Sequence, residues 1–374
     1  MSQPVQTMKL PYSNGDVLAE QRGHLGVLTM NRPALLNSLS LGMIRDMTAA
    51  LLAWRDDAGI TAVLVLGTPK EGRGLAYCAG GDIHFLHAGG MAGDPQIDDF
   101  FTEEYALNHL IHVYPKPYVA FMDGIVMGGG MGVAQGGRVR IVTERTKMAM
   151  PETNIGLFPD VGGGWFLSRC PGHSGEYLAL TGQMLGAGDA LAFGLADGMM
   201  AGSVRESLTD EKTVGALATD ADVVRHLRSR FEPAPAPVFA REQSAIDRHF
   251  SQPDVASIMA SLENDSSPWA VETLAVLRKR SPLMMCVSLE LIRRARYMSL
   301  ADDLRMERDL VRNCFALRPG AASETVEGIR ALVIDKDHAP RWNPPSVGEV
   351  TRDMVEAFFR SPWPAHAHPL RDLC

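Results

Sequence analysis

Two apolar runs that end in glycine turns constrain this 374-residue chain more than any other feature. Residues 62–66 (AVLVL) precede Tyr77-Cys78-Ala79-Gly80-Gly81-Asp82-Ile83. Residues 118–122 (YVAFM) pass directly into Asp123-Gly124-Ile125-Val126-Met127-Gly128-Gly129-Gly130-Met131-Gly132. Continuous apolar runs of this length, bounded by turns, suit strands buried on both faces, as in a parallel sheet. Each turn then opens a helix, where the first backbone N–H groups lack helical partners and glycine lets a ligand approach the main chain. A single glycine cluster does no more than permit tight strand-to-helix packing. Two brought together supply two N–H donors to one oxygen. Neither turn reads GxGxxG, and the chain has no GxxxxGKS, GxxxxGKT or GxSxG, so dinucleotide, P-loop and serine-hydrolase readings lose support.

The surrounding pattern is α/β. Residues 26–30 (GVLTM) read as a strand, Asn31-Arg32-Pro33 as a turn, and a helix starts near Ser40 with Leu41, Ile44, Leu51 and Leu52 on one face. With 62–66 this makes a strand–helix–strand unit. A helix over 98–112 and strands over 118–122 and 138–143 repeat the theme. Beyond Gly172 helical stretches dominate, and 232–237 (EPAPAP) is a stiff connector. These shifts divide the chain into a core over 15–230 and a helical region over 238–360. Ser267-Pro268, Ser281-Pro282, and Ser299 with Asp302 mark helix starts. Residues 361–374 read as a loosely ordered tail.

Composition narrows the function. A hydrophobic fraction of 46% and a charged fraction of 21%, with no apolar stretch of membrane-spanning length, give a globular chain with no membrane partner. Residues 1–15 carry Lys9 as their basic residue and no apolar run, which gives a cytoplasmic expectation. A net charge of −8 lacks the basic footprint of a nucleic-acid binder. Local cations would have to meet an anionic ligand, and Lys70, Arg73, Lys116 and Lys147 lie near the motifs. Five scattered cysteines with no CxxC read as free thiols. His84/His87 and His109/His112 have metal-compatible spacing, but without HExxH or a cysteine cluster no metal is expected. Met127, Met131, Met148 and Met150 suit core filling, or the lining of an acyl pocket.

CAGGDI, YVAFMDG running into GGG, and MAMPETNIGLFPDVGGG resemble the crotonase (enoyl-CoA hydratase/isomerase) superfamily. The matching runs include 100–108 (FFTEEYALN), 114–123 (YPKPYVAFMD), 148–164, and 327–337 (EGIRALVIDKD) with Pro340 and Trp342. They cover the chain from about Gly15 to Pro345. The resemblance implies a crotonase-like spiral of ββα units with a mostly helical C-terminal region. It also implies an acyl-CoA substrate with no separate cofactor, a homo-oligomer, and an oxyanion hole formed by the N–H groups of Gly81 and Gly129. Such donors serve hydrolysis and isomerisation alike.

The carboxylates discriminate between reactions. Similar hydratases place one glutamate shortly after the second glycine turn and another in the Pro-Glu segment. This chain has Gly132 at the first position and Glu152 at the second. Asp160 lies where the hydrolase branch carries an acid; similar isomerases have an aspartate there too, but they also need an acid at the position of Gly132. The resemblance therefore favours thioester hydrolysis, of 3-hydroxyisobutyryl-CoA in valine breakdown, with Glu152 and Asp160 catalytic and Glu104 and Gly129 contacting substrate. Glu103 would point elsewhere. Attack by a carboxylate and deprotonation of water by one are both open to such a pair. A hydratase or isomerase on the same fold, and an acyl-CoA binder without turnover, are the alternatives. The structural reading makes Glu152 a cap for the turn after Pro151, and Asp160 a cap for the helix start at 162–164.

Overall fold

The computed structural model describes residues 5–69, 75–210 and 219–374. Two units interleave along the chain. Met1–Gly81, Ala106–Met148 and Leu185–Ala240 form the first, and Asp82–Tyr105, Ala149–Met184 and Arg241–Cys374 the second. The last passage between them falls a few residues after the proline-rich connector. Residues 82–105 and 149–184 belong with the C-terminal helices, where the sequence pattern had suggested two consecutive spans.

The first unit is built on strands β1 (Gln6–Thr7), β2 (Val17–Arg22), β3 (Leu25–Met30), β4 (Ala62–Gly67), β5 (Ala76–Cys78), β6 (Tyr118–Met122), β7 (Ile125–Met127), β8 (Val139–Val142), β9 (Lys147–Ala149) and β10 (Gly198–Met199). A seven-stranded sheet runs β1-β2-β3-β4-β6-β8-β10, and a smaller one β5-β7-β9. β1 to β3 pair antiparallel, whereas β3, β4, β6, β8 and β10 are parallel neighbours. Val27 lies opposite Leu64, Val65 opposite Ala120 and Phe121 opposite Ile141, so the apolar runs become one continuous core with Met200, Leu208 and Val223.

Ser40 caps the helix Leu41–Arg55 by accepting from Met43 N–H. The buried face is Met43, Ile44, Met47, Ala50, Leu51 and Trp54, the 3.6-residue repeat of a helix packed on a sheet. Leu52, expected on that face, is 41% exposed because it sits about 100° round from Leu51. Trp54 packs on β3, where a Cβ at Gly26 would come within 2.7 Å of its ring.

The second unit is helical. Ser267, Ser281 and Ser299 each accept a backbone N–H three residues on and start the helices Pro268–Leu277, Pro282–Ala295 and Leu300–Ala316. Gly164 allows the helix Gly163–Leu167 close to Pro282–Ala295, since a Cβ there would lie 2.9 Å from Leu291. The C-terminal stretch is packed and not loose. Leu370 is buried, Arg305 Nε donates to its carbonyl at 3.0 Å, and Asn313 Nδ2 holds the carbonyls of Phe358 and Arg360. Its scattered Leu, Trp and Pro residues have no period, so this docking is invisible as a pattern. All five cysteines are free thiols, with Cys374 exposed. No described helix is long and apolar enough to cross a membrane.

Candidate active site

In the first unit the two glycine turns leave adjacent parallel strands, β5 and β7, which pair Ala76 with Ile125 and Cys78 with Val126. The turns press together. A Cβ at Gly130 would lie 2.2 Å from the Cys78 carbonyl oxygen, and one at Gly80 would lie 3.2 Å from that of Met127 and 3.7 Å from the Gly129 nitrogen. Gly80 also has a φ of +103°, which side-chain-bearing residues rarely adopt. Leu39 N–H donates to the Gly80 carbonyl at 2.8 Å and Ala79 N–H to that of Leu36 at 3.0 Å, which fixes the first turn from its other side. Gly129 opens the helix Gly129–Gln135, where an N–H has no intrahelical partner. Gly132 lies buried inside that helix, its N–H donating to Gly128 at 3.1 Å.

Of the four cations considered from sequence, Lys70 and Arg73 lie outside the described residues. Lys116 is already occupied, because its ammonium takes the carbonyls of Trp54 and Asp57 at the end of the helix Leu41–Arg55. Lys147 is exposed at the start of β9. His84 is exposed, and among the described residues no group of three His, Cys, Asp or Glu is arranged to hold a metal.

The second unit brings Glu104, Glu152 and Asp160 together in one buried cluster, exposed by 2%, 6% and 5%. Glu104 comes from the helix Gln96–His112, Glu152 opens the 3-10 turn Glu152–Ile155, and Asp160 follows Pro159. The Glu152 carboxylate accepts from its own backbone N–H, while its Oε2 and the Oε1 of Glu104 have no partner among the described residues. Asp160 does not cap the helix after it either. Glu307 does, accepting Gly162 N–H at 2.7 Å and Gly164 N–H at 2.9 Å, and Asp303 accepts Trp165 N–H at 2.7 Å. Asp160 Oδ2 instead accepts the hydroxyl of Tyr105 at 2.8 Å. The helix-capping role read for Asp160 therefore falls to Glu307 and Asp303.

Backbone strain marks the same place. Val161, next to Asp160, has a φ of +58°, a conformation costly for a β-branched residue, by about 1–3 kcal/mol. The Glu307 bonds to Gly162 and Gly164 hold the segment that pays this cost.

Burial raises the proton affinity of all three acids, and repulsion from Asp160 adds to it at Glu104 and Glu152. Glu152 is held well above the usual carboxylate range by burial, then by Asp160 and Glu104; Glu104 is raised by burial and then by Asp160. Burial also pushes Asp160 up, to about 6, against the pull of the Tyr105 hydroxyl. At neutral pH such a cluster holds one charge readily and a second only at high cost, which supplies a base and an acid side by side. Asp303 is likewise raised by burial, to about 7.

Tyr105, Asp303 and Glu307 escaped the sequence reading. Tyr105 follows Glu104 in the EEY run, but nothing local says that its hydroxyl meets residue 160. Asp303 and Glu307 did leave a signal. They lie four apart on the face that also carries Leu300, Leu304 and Val311, and acids at core positions of a helix must have buried partners.

Residues 25–359 match the family model described as enoyl-CoA hydratase/isomerase, and the chain belongs to that family, with its crotonase fold. Among its relatives are the 3-hydroxyisobutyryl-CoA hydrolases, mitochondrial, of Gallus gallus and Rattus norvegicus. The first is 38% identical over 365 residues, covering 96% of this chain and 92% of the relative. The second is 38% identical over 352 residues, covering 92% and 89%. A solved structure, a carnitinyl-CoA dehydratase from Mycobacterium thermoresistibile, superposes with a TM-score of 0.85 at 40% identity, covering 96% of this chain and 99% of that one. The mitochondrial names of the vertebrate relatives overturn the cytoplasmic expectation. That expectation rested on charge and hydropathy near residue 1, which say little about compartment.

Proposed function

We propose that this chain hydrolyses the thioester of a short β-hydroxyacyl-CoA, 3-hydroxyisobutyryl-CoA, to the free acid and coenzyme A. The observation that carries the reading is the buried Glu104–Glu152–Asp160 cluster in a chain whose second glycine turn has Gly132 where a hydratase needs an acid. The names of the relatives support the same substrate.

In this reading the N–H groups of Gly81 and Gly129 hold the thioester oxygen, a pair of donors each worth about 3 kcal/mol of transition-state stabilisation. Asp160, with the lower proton affinity of the catalytic pair, takes a proton from water as the water oxygen bonds to the carbonyl carbon. The carbon–sulfur bond breaks, its electron pair leaves on sulfur, and Glu152 supplies the proton that makes the thiol. Transfer of the proton from Asp160 to Glu152 restores the cluster, and the product acid releases its own to solvent. Glu104, protonated and with an unpartnered oxygen, has a donor and an acceptor to offer a substrate hydroxyl.

Release of free thiol from 3-hydroxyisobutyryl-CoA tests the assignment. Glu152→Gln should lose about 10²-fold or more in kcat, and equal rates in variant and wild type would sink the mechanism. Loss of enoyl absorbance from crotonyl-CoA without thiol release would show a hydratase instead.

A further inference from the structure

We propose that Tyr105 is a positioning residue that makes Asp160 the charged member of the buried carboxyl cluster and aims the oxygen that receives the proton. The inference rests on the reading of Asp160 as the base. Its geometry is specific: the Tyr105 hydroxyl donates to Asp160 Oδ2 at 2.8 Å, and both side chains are buried. Glu104 Oε1 and Glu152 Oε2 receive no such donor among the described residues. The competing use for the Asp160 carboxylate, capping the helix Gly163–Leu167, is taken over by Glu307 through Gly162 and Gly164.

The titratable groups facing Asp160 are Glu104 and Tyr105 from the helix Gln96–His112, Glu152 from the 3-10 turn, and Glu307 and Cys314 from Leu300–Ala316. All are acids or neutral donors. Asp160 and Glu152 each accept their own backbone N–H, and the Tyr105 hydroxyl is the further bond that favours the charged form of Asp160. Burial, Asp160 and the neighbouring glutamates raise the proton affinity of Tyr105 itself, so it remains a donor through the working pH range.

Tyr105→Phe removes the donor and keeps the ring. The Asp160 carboxyl is followed by carbon-13 NMR in aspartate-labelled full-length protein, its resonance assigned by disappearance in Asp160→Asn. The expected result is an upward shift of the Asp160 midpoint by about one pH unit in Tyr105→Phe. The acidic limb of kcat/KM for 3-hydroxyisobutyryl-CoA should move up by the same amount with KM unchanged. An unmoved midpoint overturns the proposal, as does a fall in rate without a shift of the limb. The NMR titration decides the matter even if wild type releases no thiol, a result that would count against the proposed function alone. Should Tyr105→Phe fail to fold, replacing the seven tyrosines with 3-fluorotyrosine strengthens the phenolic donor. The midpoint must then fall, and a constant midpoint again overturns the proposal.

Discussion

Gly130 and Glu152 show two ways in which a single residue can be held to its type. At Gly130 the reason is space, because any Cβ would strike the Cys78 carbonyl at 2.2 Å. Gly130→Ala should therefore cost about 1–3 kcal/mol in urea unfolding and should lower kcat by shifting the turn that carries Gly129. At Glu152 the reason is chemistry. Burial and the charge of Asp160 both oppose its ionised form, so replacing it with glutamine should remove that cost and raise the melting temperature at pH 8 while hydrolysis is lost. A melting temperature below that of wild type would mean the carboxyl had a structural duty after all. Such opposition between stability and activity is expected where a site holds groups that folding alone would exclude.

At the scale of elements, legibility followed the range of the interaction. Ser40, Ser267, Ser281 and Ser299 bond three residues away, and each helix start could be read from its own neighbourhood. Strands β3, β4 and β6 announced themselves as apolar runs, while Leu52 was misplaced by one helical position. Glu104, Glu152 and Asp160 were named through resemblance; their shared burial was not readable, nor were the bonds from Glu307 to Gly162 and Gly164, which bridge more than 140 residues. Glu307→Ala would leave those two N–H groups without acceptors beside strained Val161. It should destabilise the protein by about 2–3 kcal/mol in urea unfolding. Arg308 joins the same helix to Gln96–His112, its guanidinium fully buried against Asp98 and Thr102. Arg308→Met should cost about 3 kcal/mol by stranding a carboxylate, with Arg312, which also reaches Asp98, limiting the loss.

For the whole molecule, the raised acids set the response to pH. Glu104, Glu152, Asp160, Asp303 and Glu307 all bind protons more tightly in the fold than their ordinary values near 4, with Asp160 at about 6 and Asp303 at about 7. Their contribution to stability is therefore full below about pH 4 and is lost as pH rises through the folded values. Half-buried Asp265, drawn down to about 2 by Ser267 and His249, works in the opposite sense and loses its contribution only on strong acidification. Urea unfolding should accordingly show stability falling from pH 5 to pH 8, and the slope should flatten in Glu152→Gln. A flat wild-type profile would contradict the buried cluster.

The protonated carboxyls also give the molecule an optical property. A carboxylic acid and a carboxylate absorb at separate positions in the infrared, and exposed acids are all ionised at neutral pH. The few carbonyl bands that persist there belong to the interior. Their disappearance on adding substrate would time each proton as it leaves, without a dye, a label or a chromophore.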